Sequence, residues 1–365
     1  LIGFLKITYN LYGLFSLNKK NSLMIYVTGG TGMLGAHLLH RLTKSGYQVR
    51  ALKRENSNLD QTKKIFSYYS SEEEAKQLLA KIEWVEGDLL DRDSIREHLE
   101  GIDFIIHAAA MVSFNRRDRY AMLHNNVEGT ANLVDLARES GINRFCHVSS
   151  TSALGNPPEG VPSSEEHVWN NSRKRTAYGK SKFLSEMEVW RGMNEGMEVL
   201  IVNPGVIIGP GNWDSGSPQF FKTIWNGFKF YTRGGTGFVD VLDVSAAIVS
   251  MMDQSQWEVV KNQRYVLVAR NVGFREFFNL VADNLGKRRP TIPAGDWLLA
   301  IAWRLALIVS WFSSSSPAIT HDSINGSNRM SHYDGAQITR IMPFQYSTVE
   351  ESVARVAKIF LNEHR

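Results

Sequence analysis

A tyrosine and a lysine stand four residues apart in Tyr178-Gly179-Lys180-Ser181-Lys182. Phe183, Leu184 and Met187 give the segment helical periodicity, so the spacing puts Tyr178 and Lys182 on one helix face. A free phenol has a pKa near ~10 and is a poor acid–base group at neutral pH. An ammonium beside it stabilises phenolate and lowers that value. The pair suits proton transfer to or from an oxygen. Upstream, Ser149-Ser150-Thr151-Ser152 ends the apolar strand that begins at Arg144. Hydroxyls there lie at the carboxyl end of a strand, the edge at which open α/β sheets bind ligands.

These groups need a scaffold, and it begins at the first apolar run. Met24-Ile25-Tyr26-Val27 reads as a buried strand, and Met33, Leu34, Leu38, Leu39 and Leu42 give the helix after it. Between them runs Thr28-Gly29-Gly30-Thr31-Gly32-Met33-Leu34-Gly35, with glycines spaced G-x-x-G-x-x-G. Strand, glycine turn and helix together form a dinucleotide site, with the pyrophosphate on the helix N-terminus. The second strand, Gln48–Arg54, ends in Lys53-Arg54. An acid there would bond the adenosine ribose; a guanidinium pairs with a 2′-phosphate, which favours NADP over NAD.

Residues 55–81 read as an irregular connection with a surface helix, Ser67–Glu74 being the most loop-like part. Trp84–Leu89 is a third strand whose Asp88 suits either an adenine amino group or a turn. A short helix covers Asp93–Leu99. Phe104–His107 runs into Ala108-Ala109-Ala110, small residues that let backbone approach a flat cofactor. His107 reads as a packed strand histidine, and no metal site is expected. A helix carrying Asn125-Asn126 follows, and Gly155–Ser164 is a loop.

The chain has 365 residues, 43% of them hydrophobic and 21% charged, an ordinary globular composition. A net charge of +4 with both signs interspersed suits an anionic cofactor and lacks the basic stripe of a nucleic-acid binder. The one cysteine, Cys146, sits in an apolar run and agrees with a reducing, cytoplasmic setting. Residues 1–23 read as an N-terminal extension, non-native or else a helix packed on the domain or a membrane. Trp297–Phe312 is strongly apolar but falls short of the roughly 20 residues that span a bilayer. A buried helix covering the substrate is the reading preferred over membrane contact.

These marks together resemble the extended short-chain dehydrogenase/reductases. The matching stretches are Gly29/Gly32/Gly35, Gly87-Asp88-Leu89, His107–Ala110, Asn126–Thr130, Ser149-Ser150, Tyr178–Lys182 and Asn203–Pro210, over residues 24–245. The resemblance implies a Rossmann-type doubly wound parallel sheet over 24–205. A smaller, mostly helical substrate region would cover 206–365, with Gly237–Val244 returning the chain to the cofactor domain. It implies Tyr178 as acid–base, Lys182 as its tuner and ribose ligand, Ser150 as donor to the substrate oxygen, and Asn126 as organiser of helix and water. Cofactor contacts would come from Gly29, Thr31, Gly32, Met33, Leu34, Gly35, Arg54, Asp88, Leu89, Ala108, Ala109 and Ala110. At the nicotinamide end Tyr178, Lys182, Pro204, Gly205 and Val206 would add theirs.

Asn203-Pro204-Gly205 and the Val49–Arg54 strand look like dihydroflavonol reductase and related carbonyl reductases, which reduce a ketone or aldehyde with NADPH. Sugar-nucleotide epimerases are the alternative, with Arg233, Arg270 and Arg275 available for a diphosphate. Ser152-Ala153 stands where a dehydratase would carry an acid pair, which disfavours dehydration. A hydroxysteroid dehydrogenase-like enzyme and a non-catalytic NADP-binding module complete the set. The expected partner is a small-molecule substrate, with no nucleic acid; a homodimer is compatible.

Overall fold

The strands, in chain order, are β1 (Met24–Thr28), β2 (Gln48–Lys53), β3 (Ile82–Glu86), β4 (Phe104–His107), β5 (Arg144–Val148) and β6 (Glu198–Pro204). Then come β7 (Val206–Ile208), β8 (Phe230–Tyr231), β9 (Gly235–Asp240), β10 (Gln263–Leu267), β11 (Arg270–Gly273) and β12 (Ile292–Pro293). Seven of them form one sheet in the order β10-β6-β5-β4-β1-β2-β3, and every pairing in it is parallel. The structure, a computed structural model, describes residues 23–364 apart from 114, 156, 159, 170–175 and 295–328. The expected extension before Leu23 and the apolar stretch Trp297–Phe312 lie outside the described residues. Among the described residues no helix is long and apolar enough to cross a membrane.

Strands this apolar must be covered on both faces. The alternation of side chains divides the core in two. Ile25, Val27, Ile106, Cys146 and Leu200 point into one cluster, and Tyr26, Ile105, Phe145, Val199 and Ile201 into the other. The first cluster is roofed by α1 (Met33–Lys44), α2 (Asp60–Tyr69) and α3 (Glu72–Leu79), the second by α4 (Gly129–Glu139) and α5 (Ala177–Asn194). Burial pushes the Cys146 thiol well above its usual range, so it is an inert packing residue. A third cluster joins Phe238 of β9, Val272 of β11, Phe277 of α6 (Phe274–Leu285) and Phe360 of α7 (Val349–His364).

Two expectations need correction. Ser67–Glu74 is mostly helical: α2 runs to Tyr69 and α3 starts at Glu72. Its polar residues act as a cap, with Ser71 Oγ accepting from the Glu74 amide at 3.2 Å. Nor is residues 55–81 merely a surface element, since Ile65 and Phe66 are fully buried. The Gly237–Val244 stretch leads the chain back onto the cofactor domain by its helix, not by a strand of the main sheet. Its strand, β9, pairs with β7 and β11 in a separate three-stranded sheet, while the helix after it docks on α1 through Arg41 and Ser245. The strand that joins the main sheet after it is β10, through the apolar run Tyr265-Val266-Leu267.

Sequential strands run outward in opposite directions from β1 and β4, so the sheet reverses between them and leaves a crevice at their carboxyl ends. Two glycines make that point possible. Gly29 has φ +76°, and a Cβ on it would lie 2.6 Å from Ala109 N. A Cβ on Gly35 would lie 2.0 Å from Gly29 O. Both obstacles are backbone, so neither can give way. Gly35→Ala is expected to lower unfolding stability by about 1–3 kcal/mol in a urea titration; an unchanged midpoint would show that the turn has slack.

Candidate active site

At the crevice lies a cleft of about 450 Å³. Gly29, Thr31 and Gly32 form its floor, and Ala108, Ala109 and Ala110 one wall. The floor fits a pyrophosphate, because Gly29 and Gly32 put no side chain on it and the N-terminal amides of α1 carry no side-chain cap. Arg54, Ser57, Leu89, Asn125 and Asn126 close the far end. Arg54 reaches across: Nη2 donates to Asn125 Oδ1 at 3.3 Å, and Nε lies 3.4 Å from Asp88 Oδ2. Its side chain stays 66% exposed and so keeps room to meet an added anion. The neighbouring Lys53 is committed to Glu86.

Met33, Leu34 and Gly35 do not line the cleft. They form the first turn of α1 directly after the floor, and so carry its free N-terminal amides, while the Leu34 side chain packs on the core. Asp88 takes the turn role: Oδ1 accepts from Leu90 N at 2.9 Å. Pro204, Gly205 and Val206 join β6 to β7, and Gly205 N donates to Leu267 O at 3.0 Å. His107 is a strand histidine tied to Thr28 Oγ1 at 2.7 Å and Thr130 Oγ1 at 3.0 Å.

The hydroxyl cluster and the helix pair do meet. Thr176 caps α5 through Gly179 N at 3.0 Å, and so sets Tyr178 in the first turn. Tyr178 is hydrogen-bonded to Ser150. Ser150 Oγ accepts from Ser152 N at 3.1 Å, which closes the turn after β5. Lys182 is buried and gives one of its three donors to Val148 O at 2.8 Å. Burial pushes the Tyr178 phenol up to about 12, partly offset by Ser150, and pushes the Lys182 ammonium down to about 8, partly offset by Glu186. At neutral pH the pair is therefore phenol and ammonium.

Asn126 joins the two halves. It sits in a π-turn, His124–Glu128, which swings its side chain inward. Its Oδ1 accepts from Met111 N at 2.7 Å, and its Nδ2 donates to Met111 O at 2.9 Å and Ser181 Oγ at 3.0 Å. The cleft wall after β4 is thus tied to the helix of Tyr178 and Lys182. Sequence reasoning missed Ser57 and Asn125 at the cleft, although one follows the basic strand end and the other precedes Asn126. It also missed Glu186, four residues past Lys182, where a charge on a buried helix face was the signal.

Comparison with known proteins agrees with this geometry. Residues 25–267 match the profile of the NAD dependent epimerase/dehydratase family. A Synechocystis protein named "Putative dihydroflavonol 4-reductase" is 28% identical over 342 residues, 92% of this chain and 94% of its own length. Sterol demethylase protein B of Methylococcus capsulatus is 34% identical over 272 residues, 73% of this chain and 76% of its own. The UDP-glucose 4-epimerase of Thermotoga maritima superposes with a TM-score of 0.72 over 94% of this chain and 100% of its own, at 17% identity, a likeness of fold. The chain belongs to the NAD dependent epimerase/dehydratase family, the extended short-chain dehydrogenase/reductases, and is an NAD(P)-dependent enzyme of that type.

Proposed function

We propose that this enzyme reduces a ketone or aldehyde on a bulky apolar molecule, with NADPH as its cofactor. The observation that carries the reading is the Tyr178–Ser150 hydrogen bond with the buried Lys182 one helical turn on, tied through Asn126 to a cleft for a dinucleotide. When bound, NADPH supplies the hydride. The residues supply the rest. Ser150 and Tyr178 donate hydrogen bonds to the substrate oxygen and hold it polarised. A phenol pushed up to about 12 keeps its proton until negative charge grows on that oxygen, and then gives it up. Lys182 stabilises the phenolate left behind.

Gly29, Thr31 and Gly32 would hold the pyrophosphate, and Arg54, with Ser57 and Asn125 beside it, the 2′-phosphate. The relatives named "Sterol demethylase protein B" and "Putative dihydroflavonol 4-reductase" both favour a bulky polycyclic substrate, and the first an apolar one. A sugar nucleotide would need cations for its diphosphate. Of the arginines considered for it, Arg270 is taken by Glu276 and Glu350, and Arg275 lies over the Tyr231 ring. A cytoplasmic setting accords with the single buried thiol of Cys146 and a supply of NADPH. NADPH oxidation with a panel of aromatic and steroid ketones, alongside calorimetry with UDP-glucose, tests the reading. Saturable UDP-glucose binding with no ketone turnover would replace it with epimerisation.

Two variants test the residues. Tyr178→Phe removes only the hydroxyl, so NADPH binding is expected to stay near wild type while turnover drops by at least about 100-fold. Unchanged turnover would remove Tyr178 from the chemistry. Arg54→Ala deletes a charge-assisted bond of roughly 1.5–3 kcal/mol, so NADPH should bind about 10- to 100-fold more weakly while NADH is nearly unaffected. Titration of both by nicotinamide fluorescence decides it, and equal losses would mean that Arg54 does not read the phosphate.

A further inference from the structure

Glu186 lies one helical turn beyond Lys182 and is 1% exposed. A second buried charge beside the acid–base pair is costly unless it is fully paired. Its partners are all in reach. Ser149 Oγ donates to Oε1 at 2.5 Å, Asn203 Nδ2 donates to Oε1 at 2.6 Å, and Arg264 Nη1 donates to Oε2 at 3.4 Å. Asn203 and Arg264 present N–H groups that only donate, and the guanidinium brings a full charge, so the set suits a carboxylate. Burial pushes the Glu186 pKa up, and Ser149, Arg264 and Asn203 pull it back.

Each partner comes from a different strand. Ser149 follows β5 and precedes the Ser150 turn. Asn203 of β6 gives Nδ2 to Ser150 O as well, at 3.0 Å. Arg264 of β10 also donates to Glu165 O at 2.7 Å and His167 O at 3.0 Å. That segment leads to Trp169, whose ring stacks on Phe183 of α5 at 5.1 Å. One carboxylate therefore gathers three strand ends and the loop in front of α5.

We propose that Glu186 is a positioning residue that clamps the Ser150 turn and the ends of β6 and β10 onto α5 and serves as the counter-charge of Lys182. The assignment rests on the acid–base reading of Ser150, Tyr178 and Lys182 given above. The titratable groups around Lys182 are Tyr178 on its own helix, His107 of β4, His147 of β5, and Glu186. Burial holds His107 and His147 neutral. Glu186 itself faces Arg264 from β10, and beyond it Glu165, whose carboxylate accepts from Val266 N at 2.7 Å. Among the described residues that act on Lys182, Glu186 carries the negative charge.

The sign follows. Without that charge Lys182 releases its proton at lower pH. Tyr178 then forms phenolate without a cation beside it, so the acidic limb of alcohol oxidation moves to higher pH. Side-chain carbon NMR of the lysines in the full chain reads the first effect with no substrate present, Lys182 being assigned with Lys182→Arg. The native midpoint is expected near about 8. In Glu186→Gln it should fall by about one pH unit. That variant leaves the Arg264 charge unpaired and is at risk of not folding. Glu186→Gln with Arg264→Gln removes both charges and should show a smaller fall, because losing the Arg264 cation favours the Lys182 ammonium, and in both the oxidation limb of a steroid alcohol should rise. A Lys182 midpoint that stays at the native value in a folded variant overturns the proposal, even if turnover falls. So does a double variant that fails to fold, which would assign Glu186 to stability alone. A shifted midpoint in a protein that reduces no carbonyl would keep this inference and retire the reductase reading.

Discussion

Backbone touches backbone where the sheet reverses, and the site is built outward from that contact. Gly29 turns with a positive φ against Ala109, and Gly35 brings the first turn of α1 against Gly29 O. The approach leaves no room for a Cβ at either place. It pins the N-terminus of α1 over the diverging ends of β1 and β4, so amides and helix dipole face the cleft. A phosphate placed there fixes the rest of a dinucleotide along the carboxyl edge of the sheet. That is the edge on which Ser150 ends its strand and on which α5 presents Tyr178 and Lys182.

The second constraint is electrical. Lys182 is 3% exposed, and such a cation is kept only by partners that cannot drift away. Val148 O takes one donor, and Glu186 supplies charge from the next turn. Burial moves the phenol and the ammonium in opposite directions, to about 12 and about 8. The gap favours a protonated Tyr178 in the resting enzyme, which suits reduction. Asn126 ties the helix of Tyr178 and Lys182 to the cleft wall through Met111 and Ser181, so the two share one frame.

Much of this was legible from residue types and order. The glycine spacing, the small residues after β4, the hydroxyls after β5 and the Tyr178–Lys182 spacing are local signals, each tied to one strand end. What escaped notice depends on contacts distant in sequence. Glu186 meets Arg264 and Asn203 only because β6 and β10 lie side by side, a pairing that the apolar run Tyr265–Val268 does not itself reveal. Ser67–Glu74 misled for the opposite reason: a run of serines and glutamates looks like a loop, yet Ser71 turns it into a helix start. Asp88 and Arg54, each assigned to the cofactor, are ion-paired to one another across the cleft, a relation that two separate strand ends do not reveal.

The central claim is that a hydride crosses from the cleft to a carbonyl carbon held by Ser150 and Tyr178. The most direct test supplies NADPH carrying deuterium at the transferable position, together with a bulky steroid ketone, and follows the label by mass spectrometry and NMR. The account predicts one deuterium per product, on the carbinol carbon and on a single face. An enzyme that leaves the ketone untouched, keeps the label on the nicotinamide and instead inverts a sugar nucleotide would contradict it.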